Sequence, residues 1–238
     1  MIQSYIFDLY GTLVDIHTDE SMPSLWRRMA TLYTFQGASY TPQELKKAYL
    51  AAVEEQIDHC AALRPHVIKD HIEPDILDVF AFLYAQKGVP ATEERLRDTA
   101  LFFRTLSLRK LKLYPNVVQV LRGLRARGKG IYLLSNAQSA FTMPELHRLG
   151  MVSLFDGIVL SSDVGVKKPD KAIFEHLLSK YGLCPETCLM IGNDEAADMG
   201  GAASVGISGR YIHTKQSPER QNALPETCRE IKSLSELL

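Results

Sequence analysis

The first apolar run of this chain, Tyr5-Ile6-Phe7, is followed directly by Asp8-Leu9-Tyr10-Gly11-Thr12. The run reads as a buried strand, and the glycine turn behind it exposes the carboxylate. In an open parallel sheet, that end of a strand is where ligands bind. An aspartate there can attack an electrophile itself, splitting one hard displacement into two easier ones. Three other patches follow apolar runs. Ser135-Asn136 comes after Leu133-Leu134, and Lys168-Pro169-Asp170 lies at loop distance beyond Ile158-Val159-Leu160. The last patch, Gly192-Asn193-Asp194-Glu195-Ala196-Ala197-Asp198, comes after Leu189-Met190-Ile191. A parallel sheet would gather all four at one edge. There Asp8 would be the nucleophile, and Ser135 with nearby backbone N–H groups would hold an anionic oxygen. Lys168 would neutralise developing charge and keep Asp8 ionised. Asp194 and Asp198 offer hard oxygen ligands suited to magnesium.

The elements that must position these residues are legible as well. The runs at Gly130–Leu134, Asp156–Leu160, Cys188–Ile191 and, more loosely, Ile207–Ile212 are continuously apolar, as in strands buried on both faces. Helical patterns at Pro144–Leu149, Pro169–Tyr181 and Glu195–Val205 separate the later ones, which predicts an α/β fold with a parallel sheet. Pro115 and Pro169 stand where helices would start. Gly88, Gly128, Gly150 and Gly182 stand where helices would end. The stretch from Ile16 to Leu113 lacks convincing strand patterns. Leu45, Tyr49, Ala52, Val53 and Ile57 share a helical face, as do Ile76, Val79, Phe80 and Leu83, and Leu96, Ala100 and Phe103. Thr41-Pro42-Gln43-Glu44 reads as a capping box. The expectation is a core domain of residues 1–15 and 114–238, interrupted by a helical module at 16–113. Residues 215–227 read as loop before a short C-terminal helix.

Composition bounds the partners. The chain has 238 residues, is 46% hydrophobic and carries a net charge of −1, which gives a core of ordinary size and no electrostatic pull towards nucleic acid or a membrane surface. Cys60, Cys184, Cys188 and Cys228 match no metal or disulfide spacing and read as reduced thiols. With no signal peptide or spanning segment legible, the expectation is a cytoplasmic protein acting on a small molecule, of undetermined oligomeric state.

Taken together, the four patches resemble the ordered motifs of the haloacid dehalogenase superfamily: Asp8-Leu9-Tyr10-Gly11-Thr12, Leu134-Ser135-Asn136, Gly165-Val166-Lys167-Lys168-Pro169-Asp170, and Ile191 to Asp198 with Gly201-Ala202. The match is ordered and runs along nearly the whole chain. The resemblance implies a Rossmann-like, doubly wound core with a C1-type helical cap that closes over the site and carries specificity. It implies hydrolysis through a covalent Asp8 intermediate, with Tyr10, Thr12 and Lys168 in the catalytic group. It further implies substrate contacts from Ser135, Asn136 and Gly11, and magnesium held by Asp8, the Tyr10 carbonyl and Asp194. Asp198 is open between a metal ligand and a tether for the following helix.

Two departures divide the family's reactions. Most of its phosphatases carry an aspartate where Tyr10 stands, to protonate the leaving alcohol and help activate water. A tyrosine, with an ordinary pKa of about 10, is a poor base near neutrality. Tyrosine there resembles the metal-free 2-haloacid dehalogenases, whose halide leaves without a proton. The surviving acids of the fourth motif, shifted so that Asn193 precedes Asp194, point back to a magnesium-dependent phosphatase of a small phosphorylated metabolite. That is the first expectation. A dehalogenase is the alternative, and a phosphate-binding protein without turnover the third. Asp15 and His17, at the entrance to the inserted module, read as a solvated hinge, or as replacements for the missing acid. Trp26 and Arg27, on the first inserted helix, read as a core tryptophan beside a surface arginine, or as the cap groups that dehalogenases place around a halide. The histidines at 59, 66, 71, 147, 176 and 213 form no ligand spacing.

Overall fold

The computed structural model describes residues 1–238. Strand β1 (Ser4–Phe7) and strand β2 (Val14–Thr18) lead into four helices: α1 (Pro23–Phe35), α2 (Pro42–Leu63), α3 (Ile76–Ala85) and α4 (Glu93–Ser107). Strand β3 (Leu108–Leu113) leads out. Elements then alternate: α5 (Val117–Ala126), β4 (Gly130–Ser135), α6 (Ser139–Arg148), β5 (Gly157–Leu160), α7 (Ser161–Val164) and α8 (Lys171–Tyr181). β6 (Cys188–Gly192), a π-helical turn (Glu195–Gly200) running into α9 (Gly201–Ser204), β7 (Ser208–Ile212), β8 (Cys228–Ile231) and a 3₁₀ turn (Leu234–Leu237) complete the chain.

Six strands form one parallel sheet in the order β5-β4-β1-β6-β7-β8. The chain winds outward from β1 in both directions, so the order reverses at β1, and the crevice past β1, β4 and β6 is the switch point where such sheets bind ligands. Neighbouring strand residues point to opposite faces. Phe7, Leu133 and Ile191 enter a core with α5. Ile6, Leu134 and Met190 enter a second core with α8 and α9. Both faces are therefore covered, and the apolar runs are continuous for that reason.

Helices α1 to α4 build a third, separate core around Trp26, Tyr33, Tyr49, Phe80 and Phe103. Thr41 caps α2 as its sequence predicts: its hydroxyl accepts from the Glu44 N–H, and the Glu44 carboxylate accepts from the Thr41 N–H at 2.8 Å. Phe141 of α6 reaches into this core and stacks on Phe103, with ring centroids 6.0 Å apart.

Several elements depart from the sequence expectation. The inserted stretch contains strand after all: β2 pairs antiparallel with β3, with Val14 opposite Leu113, and this ribbon carries the chain into and out of the helices. Its residues alternate with charged ones, as a two-stranded ribbon wet on one side allows, and each strand is too short to stand out. α5 starts at Val117 behind Asn116 in a left-handed conformation (φ 63°), so Pro115 lies outside it. Pro169 also lies outside α8, because Asp170 takes the N-cap and accepts from the Ala172 N–H at 2.9 Å. Pro144 sits inside α6, which begins five residues earlier than its apolar stretch suggests. β8 stands between the loop expected at 215–227 and a short 3₁₀ turn (Leu234–Leu237) where the C-terminal helix is expected. Its burial pattern, two covered ends around an exposed Arg229-Glu230, is that of a short edge strand.

Candidate active site

Asp8 leaves β1, Ser135 ends β4, and Asn193 and Asp194 leave β6, so the sheet delivers three of the four motifs to one edge by register alone. The fourth arrives on the loop between α7 and α8. These residues line one cavity of about 160 Å³ that includes Asp8, Tyr10, Lys168, Asp194 and Gln216.

Lys168 is the centre of the charge pattern. Its side chain is 2% exposed, and its ammonium donates to Asp8 Oδ1 at 2.8 Å, Asp198 Oδ1 at 2.6 Å and the Leu134 carbonyl at 2.9 Å. An ammonium has three N–H bonds, and all three are used. Burial pulls the pKa of Lys168 down, but the carboxylates of Asp198 and Asp8 more than offset that and leave it above the ordinary lysine range. Burial pushes the Asp198 carboxyl up, against the pull of Lys168. The Asp8 carboxylate also accepts from the Ser135 hydroxyl at 3.3 Å and, on its other oxygen, from the Thr12 hydroxyl at 3.1 Å. It is thus oriented on both oxygens while still facing the cavity.

Asn136 does not reach for a ligand with its amide. Its Nδ2 donates to the Lys168 carbonyl at 2.9 Å and its Oδ1 accepts from the Lys168 N–H at 2.7 Å, so it clamps the lysine's loop. The same loop is backed by the segment joining α2 to α3. The Glu73 N–H donates to the Gly165 carbonyl at 3.1 Å, and the Lys167 N–H to the His71 carbonyl at 2.8 Å.

Gly11 also differs from its expected part. Its N–H already donates to the Val14 carbonyl at 2.8 Å, so it is not offered to a substrate. What the position requires is glycine: φ is +87°, and a Cβ would lie 2.4 Å from the Asn193 amide. Gly192 is needed for a similar reason, since a Cβ there would meet the Asp198 carboxylate at 2.1 Å.

Asp198, open between metal ligand and tether, has both carboxylate oxygens engaged by the protein, which is the tether's part. One oxygen holds Lys168 and the other accepts from the Asp194 N–H at 3.0 Å. Asp194 lines the cavity with one carboxylate oxygen accepting from the Ala197 N–H at 2.8 Å, which leaves its second oxygen available. No three His, Cys, Asp or Glu side chains cluster into a protein-only metal cage. The two carboxylates that line the cavity, Asp8 and Asp194, are instead the sparse, all-oxygen kind that suits magnesium, which keeps several waters and takes one or two carboxylates plus substrate oxygens. The residues therefore fit that ion.

Arg27 is not brought to the cavity. Trp26 beside it is buried in the core of the α1–α4 layer, which turns Arg27 towards solvent, where it lines a separate cleft with Lys46 and Pro42. Asp15 is pinned on the hinge ribbon between Lys110 and Lys215. Hydrogen bonding to Lys110 holds its carboxyl below the usual aspartate range. His17 is exposed on the same ribbon. Neither lines the cavity. Because Asp15 stays ionised throughout the neutral range, Asp15→Asn is expected to leave the pH profile of turnover unchanged, which initial rates across pH 5–9 would check.

Tyr10 is the residue whose environment the sequence does not foretell. Its phenol donates to Glu145 of α6 and shares a hydrogen bond with the Thr142 hydroxyl at 3.0 Å. Glu145 in turn binds Arg104 of α4, with Arg104 Nε 2.6 Å from Oε1, and the side chains are 13% and 7% exposed. Burial first, and the Glu145 carboxylate second, push the Tyr10 phenol well above the ordinary tyrosine range. Arg104, Thr142 and Glu145 carry no sequence signal: each stands on a helix face where an unremarkable surface residue would read the same.

Comparisons with known proteins agree with this geometry. The family described as haloacid dehalogenase-like hydrolase matches residues 2–206. A phosphoserine phosphatase of Thermus thermophilus is 31% identical over 146 residues, 61% of this chain and 58% of that protein, so the chain spans little more than half of that relative's length. (S)-2-haloacid dehalogenase 4A of Burkholderia cepacia is 23% identical, with 99% of this chain and 93% of that protein covered. Among solved structures, a 2-haloacid dehalogenase of Pseudomonas syringae superposes with a TM-score of 0.66 at 19% identity, covering 100% of this chain and 96% of that one, a likeness of fold. With that family matched over most of the chain, and a carboxylate at the β1 end held against a buried lysine, the chain belongs to the haloacid dehalogenase-like hydrolases.

Proposed function

We propose that the chain is a magnesium-dependent phosphatase acting on a small phosphorylated metabolite through a covalent intermediate on Asp8. One observation carries this reading: Asp8 and a second available carboxylate, Asp194, line the same small cavity beside a buried, permanently charged lysine. Asp8, the Tyr10 carbonyl and Asp194 would hold the ion, whose charge offsets the repulsion between a carboxylate and a phosphoryl group. Lys168 and the Thr12 hydroxyl hold Asp8 in place for attack on phosphorus. Asn136 fixes the loop that carries the lysine. The Ser135 hydroxyl, at the cavity wall, is placed to donate to a phosphoryl oxygen once Asp8 has turned to its substrate.

A second reading, a metal-free 2-haloacid dehalogenase, is favoured by Tyr10. Its phenol is committed to Glu145 and has no proton to give, and a halide needs none. Phosphate esters and 2-chloro acids, each with magnesium and with a chelator, separate the two. Phosphate release that needs magnesium is the expected result. Halide release that survives the chelator would replace the first reading with the second.

A further inference from the structure

The acid–base side chains that line the cavity are already committed. Lys168 uses its three N–H bonds on Asp8, Asp198 and Leu134. The Tyr10 phenol is turned to Glu145 and Thr142 and stands among Glu145 and Arg104. Ser135 and Thr12 donate to Asp8. The Asn136 amide is bound on both sides to the backbone of Lys168. Asp198 is buried with both oxygens accepting. Asp194, the remaining acid, would be spent on the ion in the phosphatase reading, so no side chain is left to protonate a leaving alkoxide.

The leaving group must therefore depart as a stable anion. A carboxylate resembles a glutamate side chain, of pKa about 4; a phenol resembles tyrosine, at about 10; an alcohol is close to water and lies far above both. Of the three, only the carboxylate leaves readily without a proton near pH 7. The cavity is small too. At about 160 Å³ it is well below the 300–1,000 Å³ typical of sites for drug-sized ligands, and it accommodates a phosphoryl group with only a few more atoms.

We propose that the substrate is a small acyl phosphate, a mixed anhydride of phosphoric and carboxylic acid, and not a phosphate ester of an alcohol. This rests on the phosphatase reading above. In the first step an Asp8 oxygen attacks phosphorus, the P–O bond to the acyl group breaks, and the acyl oxygen takes the electron pair and leaves as a carboxylate with no proton transferred. In the second, water attacks phosphorus, the P–O bond to Asp8 breaks, and the pair returns to the Asp8 carboxylate. The protons of that water remain on phosphate or pass to solvent.

Phosphate release by the full-length protein with magnesium tests the proposal on acetyl phosphate, phenyl phosphate and ethyl phosphate, with the spontaneous rate subtracted. A positioned general acid contributes about 10²–10⁴-fold. Without one, kcat/KM is expected to fall by about 100-fold or more from acetyl to ethyl phosphate, with phenyl phosphate between. Tyr10→Asp, which supplies a carboxyl group beside the cavity, is expected to narrow that gap to less than about tenfold. Ethyl phosphate within tenfold of acetyl phosphate in the unaltered protein would overturn the acyl phosphate assignment and leave the phosphatase reading standing, as would an unchanged gap in a Tyr10→Asp protein that is folded by circular dichroism. Halide released from 2-chloropropionate, with no phosphate from any of the three, would overturn the phosphatase reading itself.

Discussion

Replacing Asp8 with asparagine is expected to lower kcat by about 10⁴-fold or more, because the chemistry loses its nucleophile and not a supporting contact. The amide has nearly the shape of the carboxylate, so the fold should persist. Ser135 and Thr12 can still hydrogen-bond the side chain, and Lys168 keeps Asp198 as its ion partner at 2.6 Å. Loss of activity with an unaltered circular dichroism spectrum would therefore report on chemistry. Residual turnover within tenfold of the parent would mean that another group attacks the substrate.

The second large effect concerns Lys168. Lys168→Met keeps the length of the side chain but removes the only cation between two carboxylates, Asp8 and Asp198, whose side chains are 9% and 1% exposed. Breaking a buried pair from one side costs about 3–5 kcal/mol, since it leaves uncompensated buried charge. Activity is expected to fall by about 10²–10³-fold as well, through the loss of charge stabilisation next to the reacting atoms. The stability deficit carries a sign in pH. With no lysine to hold it ionised, burial raises the folded-state pKa of Asp198 further above its unfolded value. Protonation relieves the folded variant more than the unfolded chain, so the deficit is smallest below the ordinary carboxylate pKa and grows as pH rises. Urea melts in a chelator at pH 5 and pH 8 would check this. An equal deficit at both would indicate that Lys168 contributes packing and not charge.

The parallel core was readable because its strands are covered on both faces. Runs such as Gly130–Leu134 and Cys188–Ile191 then leave little room for another element, and the motifs that follow them fall at one edge by register. Elements with one wet face were harder. β2 and β3 alternate Ile16 and Leu111 with His17, Lys110 and Lys112, and a ribbon of two such strands gains its stability from where the chain must turn, which a local pattern does not contain. β8 pairs only with β7, and four residues at a sheet edge carry almost no period. The site divides in a similar way. Asp8, Ser135, Lys168 and Asp194 were legible because backbone topology alone brings them together. The partners that decide what Tyr10 can do, Thr142, Glu145 and Arg104, come from helices separated from it by about a hundred residues or more in sequence, and only packing of the α4 layer on α6 makes them neighbours. Of the two readings of Arg27, the structure bears out the surface arginine. Its residue type suits an anion, but the burial of Trp26 in its own helix turns it to solvent.

The chemical trapping of Asp8 tests the account most directly. Acetyl phosphate and magnesium would be mixed with excess enzyme, quenched in acid during the first turnover, and the peptide containing Asp8 weighed. The account predicts a peptide heavier by one phosphoryl group, with the added mass on Asp8 and absent from the Asp8→Asn protein. Phosphate formed in that first turnover with Asp8 never modified at any quench time would contradict it.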